Sequence, residues 1–391
     1  MTEIVYLDNA STTFPKPAEV HKFMHEFYRD YGVNPGRGTH ELAFKAGEVV
    51  AETRKTLCDF FGGDEPTRLC FTYNVSDALN MIIHGILEPG DHVVTSKLEH
   101  NSVLRPLYHR EQDFGLETTY VPFDGAGFVD PDDFKKAIKP NTKLALLIHG
   151  SNVLGTIQPV REVGAVCREA GVPLAVDAAQ TAGIVPVSAA ADYIDIVAFT
   201  GHKSLMGPTG IGGLYVASDV TIRPSRHGGT GIASEVRAHL DEYPHRLECG
   251  TLNLMGVAGL LAAQRWIASE GMENLYRHEI ALWRRLRDGF AEIDGVTLYA
   301  AADEERHLPV LSCNVDGLDT FAAGERLNAE YGIACRAGVH CAPLAHEGLG
   351  TLDGGGTIRF APGPFNTEED IDKTVEAVTD IAASAANLKR S

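Results

Sequence analysis

Between Val172 and Ala217 the chain reads VPLAVDAAQTAGIVPVSAAADYIDIVAFTGHKSLMGPTGIGGLYVA, and this stretch restricts the fold more than any other. It holds two short apolar runs, Pro173 to Val176 and Ile194 to Phe199, each stopping abruptly at polar residues. Runs of that length and composition predict strands buried on both faces of a parallel sheet. Open α/β sheets bind ligands beyond the carboxyl ends of their strands. The first run delivers Asp177 and Gln180 to that rim, and the second delivers Thr200, His202 and Lys203, followed by the turn-rich Gly207, Pro208, Thr209, Gly210.

A lysine at a buried strand end loses its proton through desolvation and becomes a nucleophilic amine, as Schiff-base chemistry requires. An aspartate in the same pocket suits a pyridinium nitrogen. Together Lys203 and Asp177 match what a protein owes pyridoxal phosphate, an imine-forming lysine and an acid that keeps the ring an electron sink. A turn-capping aspartate and a solvated loop lysine explain the same two residues.

Strands alternate with helices through most of the chain, which predicts an α/β fold with a mainly parallel sheet. Further strands are expected at Leu69 to Thr72, His92 to Ser96, Thr118 to Pro122 and Leu144 to His149, with helices at Ala18 to Arg29, within Phe44 to Phe61, and at Val160 to Ala170. Tyr31 to His40 is a glycine-rich loop. Ser76 or Asp77 is positioned to cap the helix after Thr72, and a strand feeding a helix N-terminus offers free N–H groups to an anion. The second glycines of a dinucleotide fingerprint are missing there, so the segment predicts a monophosphate site. His100 and Asn152 follow strand ends on the same rim.

Past His227 to Gly231 the pattern changes to long helices at Asn253 to Ser269 and Leu275 to Ile293, then short strands and a last helix from Thr367. With 391 residues the chain exceeds what one core organises. The expected division is a large α/β domain over 18–255 and a smaller α+β domain formed by 1–17 and 256–391. Lys plus Arg number 34 against 53 Asp plus Glu, and the net charge of −19 argues against nucleic-acid and anionic-membrane surfaces. The N-terminus lacks a signal-like pattern and no run approaches the ~18 apolar residues of a membrane span, so a cytoplasmic location is expected. Seven cysteines without paired spacing agree with a reducing compartment.

The segment CRAGVHCAPLAHEGLGTLDGGGTIR, Cys335 to Arg359, carries a second constellation. Cys335, His340, Cys341 and His346 raise a zinc reading, but the spacing is not paired C-x2-C and adjacent His340 and Cys341 do not easily face one ion, so no metal site is expected. The glycines at 348, 350 and 354–356 predict a mobile segment, and an exposed thiol beside an imidazole makes Cys341 a candidate nucleophile. Arg359 closes a strand, where its planar fork suits a carboxylate, or where it is a surface arginine. Gly201 to Ser204 only superficially matches the end of a P-loop, because no glycine sits five residues before Lys203.

The ordered motifs YLDNASTT, LEHNSV, SNVLGT, VDAAQ, TGHKSLMGPTGIGGLYV, GTLN and RAGVHCA span nearly the whole chain. With them the chain resembles the cysteine desulfurase and selenocysteine lyase branch of the class V aminotransferases, fold type I pyridoxal-phosphate enzymes. The resemblance implies that Lys203 carries the cofactor, Asp177 pairs with the pyridine nitrogen, Gln180 bonds the ring hydroxyl and His100 stacks on the ring and moves protons. It implies phosphate contacts from Ser76, Thr200, His202 and the backbone of Val75, with Thr251 arriving from a second subunit of a homodimer. It further implies that Asn152 and Arg359 hold the substrate and that Cys341 accepts sulfur. The activity implied is conversion of L-cysteine to L-alanine with a persulfide on Cys341, passed on to a sulfur-acceptor protein. Selenocysteine lyase, cysteine sulfinate lyase or another lyase or aminotransferase of the same class is the alternative. Two departures stand out: Tyr73 to Ser76 replaces a threonine-rich phosphate turn, and Val339 stands where many relatives have a second histidine. The short Cys341 to Arg359 spacing resembles the short-looped, Suf-like type.

Overall fold

The computed structural model describes residues 4–35, 38–299 and 304–388, so residues 36 and 37 of the glycine-rich Tyr31 to His40 segment lie outside it. The chain begins with β1 (Val5–Tyr6), α1 (Ala18–Tyr31) and α2 (Glu41–Phe60). The large domain then lays down β2 (Leu69–Thr72), α3 (Val75–Ile86), β3 (His92–Ser96), α4 (Asn101–Phe114), β4 (Glu117–Val121), α5 (Pro131–Ala137), β5 (Thr142–Ile148), α6 (Val160–Ala170), β6 (Leu174–Asp177), β7 (Ile196–Thr200) and β8 (Gly212–Val216).

These strands form one seven-stranded sheet in the order β2-β8-β7-β6-β5-β3-β4, in which only β8 runs antiparallel to its neighbours. Successive residues of each strand enter opposite cores: Leu147, Val176, Val197 and Phe199 pack toward one face, Leu146, Ala175, Ile196 and Ala198 toward the other. Both faces are therefore covered, which is why the runs are continuously apolar rather than alternating. β3 and β4 advance one way across the sheet and β5, β6 and β7 the other, so the order reverses between β3 and β5. A crevice opens at such a reversal, beyond the strands' carboxyl ends.

α7 (Leu254–Glu270) buries Leu254, Val257, Leu260 and Ile267 in the large domain's apolar cluster. By this packing α7, placed by the sequence pattern with the small domain, lies against the core of the large one. The small domain consists of α8 (Met272–Ala291), β9 (Val296–Tyr299), β10 (Leu311–Val315), α9 (Thr320–Tyr331), β11 (Ile333–Ala334), β12 (Arg336–Gly338), α10 (Pro343–Leu349), β13 (Thr357–Phe360) and α11 (Glu368–Leu388). Its antiparallel sheet, β12-β13-β10-β9, packs around Trp283, Phe290, Phe360 and Ile358.

The N-terminal segment sews the two domains together. β1 pairs in parallel with β11, and Asp8 bridges to Ala361. The Thr12 hydroxyl, the Thr13 N–H and the Lys16 ammonium then all donate to the carbonyl of His202, at 3.1, 3.1 and 2.5 Å.

Two local expectations change. The residue capping α3 is Asn74, whose side chain accepts from the Asp77 N–H at 3.0 Å; Ser76 and Asp77 lie inside the first turn. The stretch after Cys341 begins as the helix α10, with Pro343 in its first turn and Gly350 closing it, and Ala345 and His346 are buried. Cys341 is accordingly half-buried, two residues before a helix, rather than fully exposed.

Candidate active site

A cavity of about 280 Å³ lies between the domains, at the carboxyl ends of β5, β6 and β7. Of the twelve residues singled out from the sequence, eleven line it; the exception is Thr251, exposed on the segment before α7.

Asp177 ends β6, is 2 % exposed and accepts the Ala179 N–H at 2.9 Å. Burial raises its pKa, with that N–H and the charge of Lys203 pulling the other way. Lys203 follows β7. What surface it keeps faces the cavity, and burial lowers its pKa to about 8, resisted mainly by Asp177 and reinforced by Arg359 and Arg336. The amine thus reaches its neutral, nucleophilic form near physiological pH, while the acid stands close enough for each to feel the other. Gln180, one turn beyond Asp177, donates from Nε2 to the Ala10 carbonyl at 3.0 Å, which leaves its second Nε2–H and its Oε1 for a ligand.

His100 caps α4. Its Nδ1 accepts the Ser102 N–H at 3.0 Å, which places the ring proton of the neutral form on Nε2. A chain of contacts continues from Nδ1 to Ser102 Oγ at 2.8 Å and on to Ser76 Oγ at 2.5 Å. Burial, then the positive charges of Lys203, Arg336 and Arg359, lowers the His100 pKa to about 4, so at neutral pH it offers an N–H and not a charge.

On the β2 side, the N–H groups of Val75 and Ser76 open α3 and have no partner among the described residues. Thr200 Oγ1 and His202 Nδ1 are buried and likewise without a partner. Four polar atoms from two adjacent elements, three of them N–H or O–H donors and the fourth an imidazole nitrogen able to take a proton, line one end of the cavity with a helix N-terminus behind them. That is the donor set of a phosphate site.

The small domain supplies the opposite wall. Arg359 is 2 % exposed and donates to the Asn152 carbonyl at 3.0 Å, to Asp8 Oδ1 at 3.0 Å and to Ser11 Oγ at 2.7 Å, while its Nε has no partner among the described residues. The surface-arginine reading is thereby excluded. Arg336 reaches Ser11 Oγ from the other side at 2.6 Å. Asn152 donates Nδ2 to the His340 carbonyl at 2.6 Å. Cys341 completes the wall, within electrostatic reach of both Lys203 and Arg359. The neighbouring imidazole is not a base for it: His340 is 4 % exposed, its Nε2 is 3.0 Å from Thr357 Oγ1, and burial and nearby arginines lower its pKa to about 2.

Arg336, Lys16, Asn74, Ser102 and the Asp8–Ser11 pair escaped the sequence reading. Arg336 stands in the RAGVHCA motif beside Cys335 but looks there like any strand-end arginine, and Lys16 like a solvated lysine after Pro15. Burial instead lowers the Lys16 pKa to about 7.

The class-V aminotransferase family model matches residues 5–374. A probable cysteine desulfurase of Methanothermobacter thermautotrophicus is 34% identical over 383 residues, covering 97% of this chain and 94% of its own. Among solved structures, the apo cysteine desulfurase of Thermococcus onnurineus NA1 superposes with a TM-score of 0.91 at 33% identity, over 97% of this chain and 95% of that one. The cysteine desulfurase CsdA of Escherichia coli, in an S-sulfonic acid form, gives 0.87 at 29% identity over the same shares. A family match over almost the entire chain, with a fold and a cavity that agree with it, makes this chain a member of the class-V aminotransferase family, among relatives that carry the name cysteine desulfurase.

Proposed function

We infer that the chain is a pyridoxal-phosphate-dependent cysteine desulfurase that converts L-cysteine to L-alanine and retains the sulfur on Cys341. The observation carrying this is the meeting, in one cavity, of a lysine with a lowered pKa, a buried acid and a half-buried thiol set against an arginine. The cofactor fits the residues present: Val75, Ser76, Thr200 and His202 would hold its phosphate, Lys203 its aldehyde carbon and Asp177 its ring nitrogen. Bound pyridoxal phosphate supplies an electron sink for the negative charge that develops on the substrate.

The chain's own residues do the rest. Arg359, with Arg336 beside it, forms the cationic wall that takes the amino acid's carboxylate. Lys203, as a free amine, removes the Cα proton and returns it. Cys341 Sγ, as the thiolate, attacks the substrate sulfur; the S–S bond forms as the Cβ–S bond breaks, and the bonding pair stays with Cβ, which takes up a proton. The products are L-alanine and a Cys341 persulfide. His100, neutral, donates from Nε2 and shields the ring face.

Cys341 persulfide is then open to an acceptor protein. An exposed Thr251, away from its own cavity, supports a homodimer in which each subunit completes the other's phosphate site. Seven unpaired cysteines support a reducing, cytoplasmic setting.

Mass spectrometry after incubation with L-cysteine should find one added sulfur on Cys341, and Cys341→Ser should keep the cofactor spectrum and lose that adduct. Alanine release at the parent rate from Cys341→Ser would remove the thiol from the reaction. Lys203→Ala should abolish both the visible cofactor band and turnover; retained turnover would refute the assignment.

A further inference from the structure

His340 and Cys341 both have positive φ, +49° and +59°. Residues with a Cβ avoid this region, and two in succession persist only where their surroundings hold them. Two donors hold these. Asn152 Nδ2 donates to the His340 carbonyl at 2.6 Å, and the N–H of Asn101, the first residue of α4, donates to the Cys341 carbonyl at 2.7 Å. The His340 ring is fixed separately, against Thr357 Oγ1 at 3.0 Å. Asn152 is anchored in turn, since its own carbonyl accepts from Arg359 at 3.0 Å. One polar atom of Asn152 is left over: Oδ1, buried without a partner among the described residues, on a side chain 4 % exposed that lines the cavity.

We propose that Asn152 is the positioning residue for the Cys341 thiol: its amide clamps the left-handed His340–Cys341 turn so that Sγ is presented to the cavity, and its spare Oδ1 lets a hydrogen-bond donor on a bound amino acid tighten that clamp. Occupancy of the cavity and placement of the nucleophile are thereby joined in one side chain. A substrate contact alone would explain Oδ1 but not the use of Nδ2 on the cysteine turn. Only the identity of the bound amino acid rests on the desulfurase reading; the clamp itself does not.

Two variants test it in the cofactor-loaded protein. Asn152→Asp keeps the size of the side chain and sets a carboxylate oxygen against the His340 carbonyl. Asn101→Pro removes the N–H given to Cys341 at a helix position that accepts proline, and His100 before it already has the extended backbone proline demands, φ −72° and ψ 155°. With the turn released, Cys341 should be alkylated by iodoacetamide about tenfold faster than in the parent, without substrate present, and persulfide formation in a single turnover should slow by about as much, with the visible cofactor band retained. Alkylation within about twofold of the parent in both variants overturns the proposal. So does an Asn152→Asp protein with a raised KM for L-cysteine and unchanged alkylation, because Asn152 would then only hold substrate. If Asn152→Asp does not fold, Asn152→Ser, which removes Nδ2 without adding a charge, takes its place with the same readouts. If the parent forms no persulfide, the desulfurase reading fails while the alkylation rates still decide the clamp.

Discussion

Glu99, one residue before His100, is fully buried. One of its oxygens accepts the Ser96 hydroxyl at 2.6 Å and the Ile148 N–H at 3.0 Å, and the other has no partner among the described residues. Burial lifts its pKa from 4.5 to about 8, opposed by those hydrogen bonds and aided by the negative charge of Asp177. The folded chain therefore keeps a proton that the unfolded chain releases, and this group's contribution to stability falls as pH rises from about 4.5 to about 8. Glu99→Gln retains an oxygen for the same two donors and does not titrate. The melting temperature of the parent should drop more between pH 5 and pH 8 than that of Glu99→Gln; parallel curves would assign the pH dependence elsewhere. Lys203, Asp177 and Cys341 were legible as residues because each is a reactive type at a strand end or beside glycines. Glu99, Arg336 and Lys16 were not, since a charged residue in sequence carries no mark of being buried, and only the packing of distant elements removes its water.

At the scale of elements, the turn after β6 lies directly on the chain that follows Lys203. Gly183 has φ +102°, and a Cβ there would stand 2.2 Å from the Ser204 carbonyl oxygen. Gly183→Ala should therefore cost about 2–4 kcal/mol and shift the lysine, so that thermal stability and cofactor retention fall together; a variant that melts and binds as the parent does would show the turn to be pliable. β6 and β7 were readable to within two residues because buried parallel strands announce themselves as unbroken apolar runs. β8 was not, because Gly212 and Gly213 suggest a turn. They are glycines for another reason: a Cβ on Gly212 would lie 2.7 Å from the Phe199 carbonyl, and one on Gly213 would lie 2.5 Å from the Cys70 carbonyl, so the strand fits between β7 and β2 only without side chains there. α10 was hidden in the same way, its seven residues lost among glycines that end it and follow it.

For the molecule as a whole, the alternation of strands and helices predicted the mainly parallel sheet, whereas the packing of α7 back onto α1 and α2 is a long-range choice that local periodicity does not encode. If the homodimer completes the phosphate site, Thr251→Ala should weaken cofactor retention by roughly tenfold while light scattering still reports a dimer; unchanged retention, or a monomeric parent, would contradict it. The stitching by residues Val5 to Lys16 carries a further consequence. During synthesis these residues emerge well before their partners: β1 waits for β11, Asp8 waits for Arg359 and Ala361, and the ammonium of Lys16 waits for the His202 carbonyl. A nascent chain halted before β13 would own a finished large sheet, the lysine and Arg336, but not Arg359, so the reactive centre matures only after β13 has left the ribosome.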